Sequence, residues 1–209
     1  SEDTFNQYYQ NALIGVKLGL PMSLKALVTP EHSGLGWYAP VVGTPKQDLG
    51  LSAGNPAVYA AARRMNMKYI ASNHSVASQW DSNCPNCGVV SSLNPKILLV
   101  PRWPNNISYH TTTPSEAVGV FNSIYGPNGS VPYWDHNFDY AEFLDYDTSI
   151  SIIHILNGTA WPHYMHQGNQ RQYAENRSLV TDWVKALLNK YSKYSNLPLL
   201  TYKWNVLGE

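Results

Sequence analysis

His163 and His166 stand three residues apart in the stretch Trp161–Tyr173, which reads WPHYMHQGNQRQY. Imidazole takes up and releases protons near neutral pH, so a histidine set among aromatic rings and amides is suited to general acid–base work or to holding a hydroxylated ligand. A metal site is the other chemistry that two close histidines invite, but the stretch carries no carboxylate and the spacing fits no metal motif. The plainer reading is a surface loop with two incidental histidines. Placement argues for more. Ser149–Leu156 (SISIIHIL) ahead of the stretch reads as one buried strand, and Ser178–Tyr194 behind it as an amphipathic helix with Leu179, Trp183, Ala186, Leu187 and Tyr191 on one face. A polar loop leaving the carboxyl end of a strand is where α/β folds bind ligands.

The same arrangement recurs upstream. Leu24–Val28 is a short apolar run followed by TPEHSGLGWY (Thr29–Tyr38), which offers His32, Ser33, Trp37 and Tyr38; an ordinary turn with a solvated His32 is the bland alternative. Lys68–Ser72 leads into SNHSVASQW, and Lys96–Val100 into PRWPNNISYH. Arg102 there carries a planar fork suited to a carboxylate or a sugar oxygen, or simply a surface ion pair. Helices are predicted over Glu2–Gly19, from Asn55 through Pro56 to Met65, and over Thr113–Tyr125, where Thr113, Pro114 and Glu116 spell a capping box. Tyr140–Asp145 reads as one further helical turn and Leu197–Tyr202 as a last strand. Asp135, Asp139, Asp145 and Asp147 match no metal loop and read as caps and turns. Strand, polar loop and helix thus alternate about four times, which predicts an α/β fold of parallel strands with helical crossovers, one domain over 1–209, and four loops gathered on one rim.

Composition narrows the partners. The chain has 209 residues, 44% hydrophobic and only 13% charged, with seven Trp and fifteen Tyr. The charged share is about half the usual ~25%. Low charge with many Tyr, Trp, Asn and Ser is common in secreted proteins that handle carbohydrate. Fourteen basic residues balance fourteen acidic ones and lie scattered, so there is no footprint of nucleic-acid binding. No apolar run approaches the ~18 residues of a membrane span. Sequons at Asn73, Asn106, Asn128, Asn157 and Asn176 point to a glycoprotein, secreted or at the cell surface. Cys84 and Cys87 are the only cysteines, in NCPNCG; one C-x-x-C cannot close a tetrahedral zinc site, and a small disulfide is expected, with reduced inert thiols the alternative.

The succession LVTPEHSGL, YIASNHS…SQW, ILLVPRWPNNISY, TPSEAVGVFNSIYG and PHYMHQGN…Y…SLVTDW resembles the C-terminal half of secreted polysaccharide deacetylases, with the fungal galactosaminogalactan deacetylase family nearest. The likeness runs from about Leu20 to Leu200. It implies part of a deformed (β/α) barrel, a hydrolase that removes N-acetyl groups from an amino-sugar polysaccharide, and zinc or another divalent metal held by an Asp and two His with a second Asp as base. The chain has no Asp-Asp pair and no H-x-x-x-H, so the resemblance implies that the metal half lies outside it, in an N-terminal half of the same polypeptide, or that this is a divergent protein without metal. His166 matches the late-barrel general acid. His163, His32, Ser33, Tyr38, Arg102, Trp103 and Asn169 fall at substrate-groove positions. Two other readings stay open: a non-catalytic carbohydrate-binding module, and a glycosidase on the same barrel, for which only Glu31 with Glu142 or Asp145 offers paired carboxylates.

Overall fold

The computed structural model describes residues 2–20, 23–29, 55–72, 84, 86–91 and 93–209. His32, Ser33, Tyr38 and the sequon at Asn73 lie outside them. The chain divides into two compact units. One comprises Ser1–Trp103, Ala160–Pro162 and Leu200–Glu209; the other comprises Pro104–Thr159 and His163–Leu199.

The first unit is mixed α/β. Helix α1 (Glu2–Lys17) is followed by strand β1 (Ala26–Leu27), helix α2 (Pro56–Arg64), strand β2 (Tyr69–Ala71) and the hairpin of β3 (Val89–Ser91) with β4 (Asn94–Val100). The sheet order is β1-β2-β4-β3. β1, β2 and β4 are parallel, in the register Ala26 opposite Tyr69 and Ile70 opposite Leu99. β3 runs antiparallel to β4. Local sequence accounts for the helix ends. Asn55 accepts from the Ala57 N–H at 2.9 Å ahead of Pro56, and Gly19 takes φ +65°, beyond the reach of most side chains, just past the end of α1. Every residue of β2 is buried, as expected of a parallel strand covered on both faces. The core joins Tyr59 and Ala62 of α2 to Met67, Ile70, Ile97 and Leu99. The Tyr59 hydroxyl is satisfied there by Ser91 Oγ at 3.0 Å. Cys84 and Cys87 form a disulfide, Cα atoms 5.2 Å apart, and Asn86 Oδ1 between them accepts from the Ala160 N–H at 2.9 Å. A short helix, α6 (Trp204–Gly208), closes the chain.

The second unit is helical: α3 (Pro114–Tyr125), α4 (Tyr140–Leu156), a 3₁₀ turn over Gln167–Gln170, and α5 (Leu179–Tyr191). Each α-helix opens with a side-chain cap. Thr113 pairs with Glu116, Asp139 with Glu142, and Ser178 with Thr181. The core is rich in rings. Phe121 lies 5.1–5.8 Å from Tyr125, Phe138, Phe143 and Tyr146, and Leu179, Trp183 and Leu187 of α5 bury against this cluster at the i, i+4, i+8 spacing of one helix face.

Two expectations fail. Ser149–Leu156 is not a strand but the second half of α4. Periodicity cannot separate a short apolar run in a strand from one in a helix. The capping box at Asp139 decides it, because it starts a helix that nothing in the following residues stops. The hydroxyls then fit the helix: Thr148 Oγ1 donates to the Leu144 carbonyl, Ser149 Oγ to that of Asp145, and Ser151 Oγ to that of Asp147. Leu197–Tyr202 forms no strand either; its apolar side chains stay exposed on the way to α6. Strand β3 goes unforeseen because three residues beside Gly88 carry no alternation to read. Three strands, not four, therefore run parallel, and the His-bearing stretch follows a helix.

Candidate functional site

The second unit carries both His163 and His166, the latter on a braced pair of turns. The chain doubles back over Ser108–Thr111, where the Ser108 carbonyl accepts from Thr111 N–H at 3.2 Å and Thr111 Oγ1 at 2.8 Å. Against it lies the turn begun by His166. Asn169 joins the two. Its Nδ2 donates to the carbonyls of Ser108 and Thr111, both at 2.9 Å, and its Oδ1 accepts from the His166 N–H at 2.9 Å. All three bonds are made inside the protein and Asn169 is fully buried. It braces the site instead of facing a ligand, which corrects its expected place in the substrate groove. Gly168 permits the close approach: a Cβ there would lie 2.9 Å from the Tyr109 carbonyl oxygen.

What the brace presents outward is aromatic. His166 is exposed, with its ring 6.0 Å from that of Tyr109 and 5.6 Å from that of Tyr164, both at steep angles. Tyr109 is 62% exposed and also meets His110 edge-on at 5.0 Å. His110 Nδ1 shares a hydrogen bond with Ser108 Oγ at 3.0 Å. Tyr164 is held through its carbonyl by Asn105 Nδ2 at 3.2 Å.

A partly buried polar chain runs through the same unit. His163 Nε2 lies 3.0 Å from His154 Nδ1, the two rings stacked at 5.2 Å, so one imidazole donates and the other accepts. The second face of His163 meets Trp183 at 5.6 Å. Burial, with a smaller contribution from His154, pushes the His163 pKa down to about 4, so this ring is neutral at neutral pH. Trp183 Nε1 donates to Asp147 Oδ2, and Asp147 Oδ1 accepts from the backbone and side-chain nitrogens of Asn106, both at 2.8 Å. Asp147 is 2% exposed, in the middle of α4, and not at a cap or turn as its spacing had indicated. Burial raises the pKa of its carboxyl, against the lowering effect of these three donors. His163 therefore belongs to this interior chain. Asp147 and His154 were missed together, since a strand reading of SISIIHIL hides the helical line Phe143, Asp147, Ser151, His154. Tyr109 and His110 end a loop whose sequence shows only polarity.

In the first unit, Arg102 and Trp103 follow β4. Arg102 Nε donates to the Ser72 carbonyl, just past β2, at 3.1 Å, while Ser72 N–H reaches Val100 O at 2.9 Å. Trp103 N–H donates to Pro162 O at 2.9 Å, and its ring lies 5.6 Å from the buried Trp161. The structure thus gathers His163, His166 and Asn169 in one unit, and Arg102 with Trp103 in the other. Among the described residues no group of three or more His, Cys, Asp or Glu could hold a metal ion, and no helix is long and apolar enough to cross a membrane.

No protein-family model matches the chain, and no curated protein matches it in sequence. Among solved structures it is similar to the crystal structure of Agd3, a carbohydrate deacetylase, with a TM-score of 0.75 over 99% of this chain at 13% identity. The match covers 30% of that protein's chain, so the present chain spans under a third of its length. At that identity the likeness speaks for the fold, a mixed α/β arrangement with a mainly parallel sheet, that a carbohydrate deacetylase also uses.

Proposed function

We propose that this chain is the C-terminal portion of a larger deacetylase domain and supplies the general acid and part of the substrate groove for de-N-acetylation of an amino-sugar polysaccharide. The observation that carries the reading is His166, exposed on a turn whose backbone is fixed by a buried amide, in a fold shared with a carbohydrate deacetylase. The sheet of the first unit would form part of a deformed barrel that the N-terminal half of the same polypeptide completes. Zinc or another divalent ion belongs, in this reading, to the complete enzyme; the described residues do not fit a metal centre, and no step here passes through one. In amide hydrolysis water adds to the acetyl carbonyl, the C–N bond breaks, and the departing nitrogen must gain a proton. An imidazolium at His166 would donate that proton. Arg102 and Trp103, with His32, Ser33 and Tyr38, are the groove residues of this reading. A secreted or cell-surface glycoprotein accords with it: the disulfide is formed, and Asn128, Asn157 and Asn176 are exposed. Asn106 is instead half-buried with its amide on Asp147.

The test is His166→Ala in the complete enzyme, assayed for acetate release and for polysaccharide binding. Turnover should fall by about 10²–10⁴, the range for a lost general acid, while binding holds. Unchanged turnover with unchanged binding would instead favour the carbohydrate-binding module, for which exposed Tyr109 is the supporting feature. Acetate release by the purified 209-residue chain alone would refute the division of the active site.

A further inference from the structure

We propose that Tyr109 is the stacking platform of a pyranose subsite, taking one ring of an N-acetylated amino-sugar chain beside His166; the proposal rests on the carbohydrate reading above and adds the residue that would seat the sugar. Exposed aromatic side chains are common, and exposure alone says little. What sets Tyr109 apart is the investment beneath it. The turn that carries it is closed by two bonds to the Ser108 carbonyl. A fully buried Asn169 clamps the carbonyls on either side of it, Ser108 and Thr111. Gly168 lets the neighbouring turn press against the Tyr109 carbonyl itself. Fixing a buried polar network under a surface ring is costly unless the ring's position matters, because each buried amide must find all its partners. The backbone that carries the ring is thereby set before any ligand arrives, which lowers the entropic cost of binding.

The surroundings select the ligand class. Tyr109 lies between two imidazoles, His110 at 5.0 Å and His166 at 6.0 Å, with the Tyr164 ring beyond His166 at 5.6 Å. A tyrosine offers an apolar face and a polar tip. The C–H face of a pyranose fits the former. The Tyr109 hydroxyl at the tip would bond a ring hydroxyl or an acetamide. A sugar so stacked would hold a substituent close to His166, where the proton is needed.

Binding of the pentamer of N-acetylglucosamine to the purified protein, measured by calorimetry beside cellopentaose, tests this. Tyr109→Ala should weaken pentamer binding about tenfold, the effect of losing roughly 1.4 kcal/mol of contact, with thermal stability unchanged because the side chain is exposed. Tyr109→Phe should retain most of it. Gly168→Ala, which removes no ring, should also weaken it by displacing the turn. Equal binding by wild type and Tyr109→Ala overturns the subsite while leaving the function of His166 standing. Cellopentaose bound as tightly as the N-acetylated pentamer overturns the amino-sugar assignment. No binding of either sugar overturns the carbohydrate reading itself.

Discussion

The first helix of one unit and the last long helix of the other solve opposite problems. Helix α5 buries Leu179, Trp183 and Leu187 in the ring-rich core of its unit. Helix α1 is longer, sixteen residues, yet only Gly15 is buried. Leu13, Ile14 and Val16 stay exposed, as do Leu18 and Leu20 after it, and a cavity of about 640 Å³ opens between α1, β1 and α2. Apolar burial contributes about 25 cal/mol per Å², so the two helices differ widely in what they add to stability. Helix α5 leaves Val184 and Leu188 exposed on its other side but buries three large side chains in its unit's core, whereas α1 buries none and keeps an apolar face turned outward. The candidate acid His166 sits on the closed unit, where a turn can be held still.

The largest effect should come from the closed core. Phe143 has no exposed surface and packs its ring 5.1 Å from that of Phe121. Phe143→Ala should cost about 3–5 kcal/mol, through lost contact and the cavity left behind. Urea unfolding followed by circular dichroism measures it. A loss below about 1 kcal/mol would mean that this core is not closed and that the contrast with α1 is mistaken.

A smaller effect should follow pH. His163 titrates near 4 when folded, against about 6.5 in an unfolded chain. Between those values the unfolded chain binds more protons than the folded one, so stability falls as the pH drops from 6.5 to 4. The full span corresponds to about 2–3 kcal/mol. Asp147 acts in the opposite direction: its raised folded pKa makes its own contribution grow as the pH falls. The difference between wild type and His163→Phe isolates the imidazole. The wild type should lose stability across this window and the variant should lose less. Parallel curves would show that burial does not keep the His163 ring neutral.

These cores were unequally legible in the sequence. Helix starts were plain, because Asn55-Pro56 and Thr113-Pro114 with Glu116 act within a few residues and need no tertiary partner. The strand centres Ile70 and Leu99 were plain for a related reason: compact apolar runs bounded by polar loops have few alternatives. SISIIHIL was not, since its apolar content suits a helix or a strand and only the Asp139 cap, ten residues before Ser149, decides between them. That misreading concealed Asp147 and His154, whose partners Asn106, Trp183 and His163 lie 9 to 41 residues away in the chain. Asn169 and Gly168 were visible as residues in a polar stretch, but their task exists only where the Ser108–Thr111 turn meets them.

The smallest effect is the most discriminating for α1. Val16 is 71% exposed, so Val16→Ser removes little buried surface, and helix propensities for the two residues are close. In the 209-residue chain the change should stay within about 0.5 kcal/mol by urea unfolding. If a larger domain surrounds this chain, its missing elements would cover the apolar face of α1. The same substitution in the complete protein should then cost more, about 1–2 kcal/mol, since a buried valine would be replaced by a hydroxyl without a partner. Equal, negligible effects in both would leave the face of α1 open in the complete protein and would remove its support for an N-terminal half docked there. A large effect in the 209-residue chain itself would instead erase the contrast between the two units.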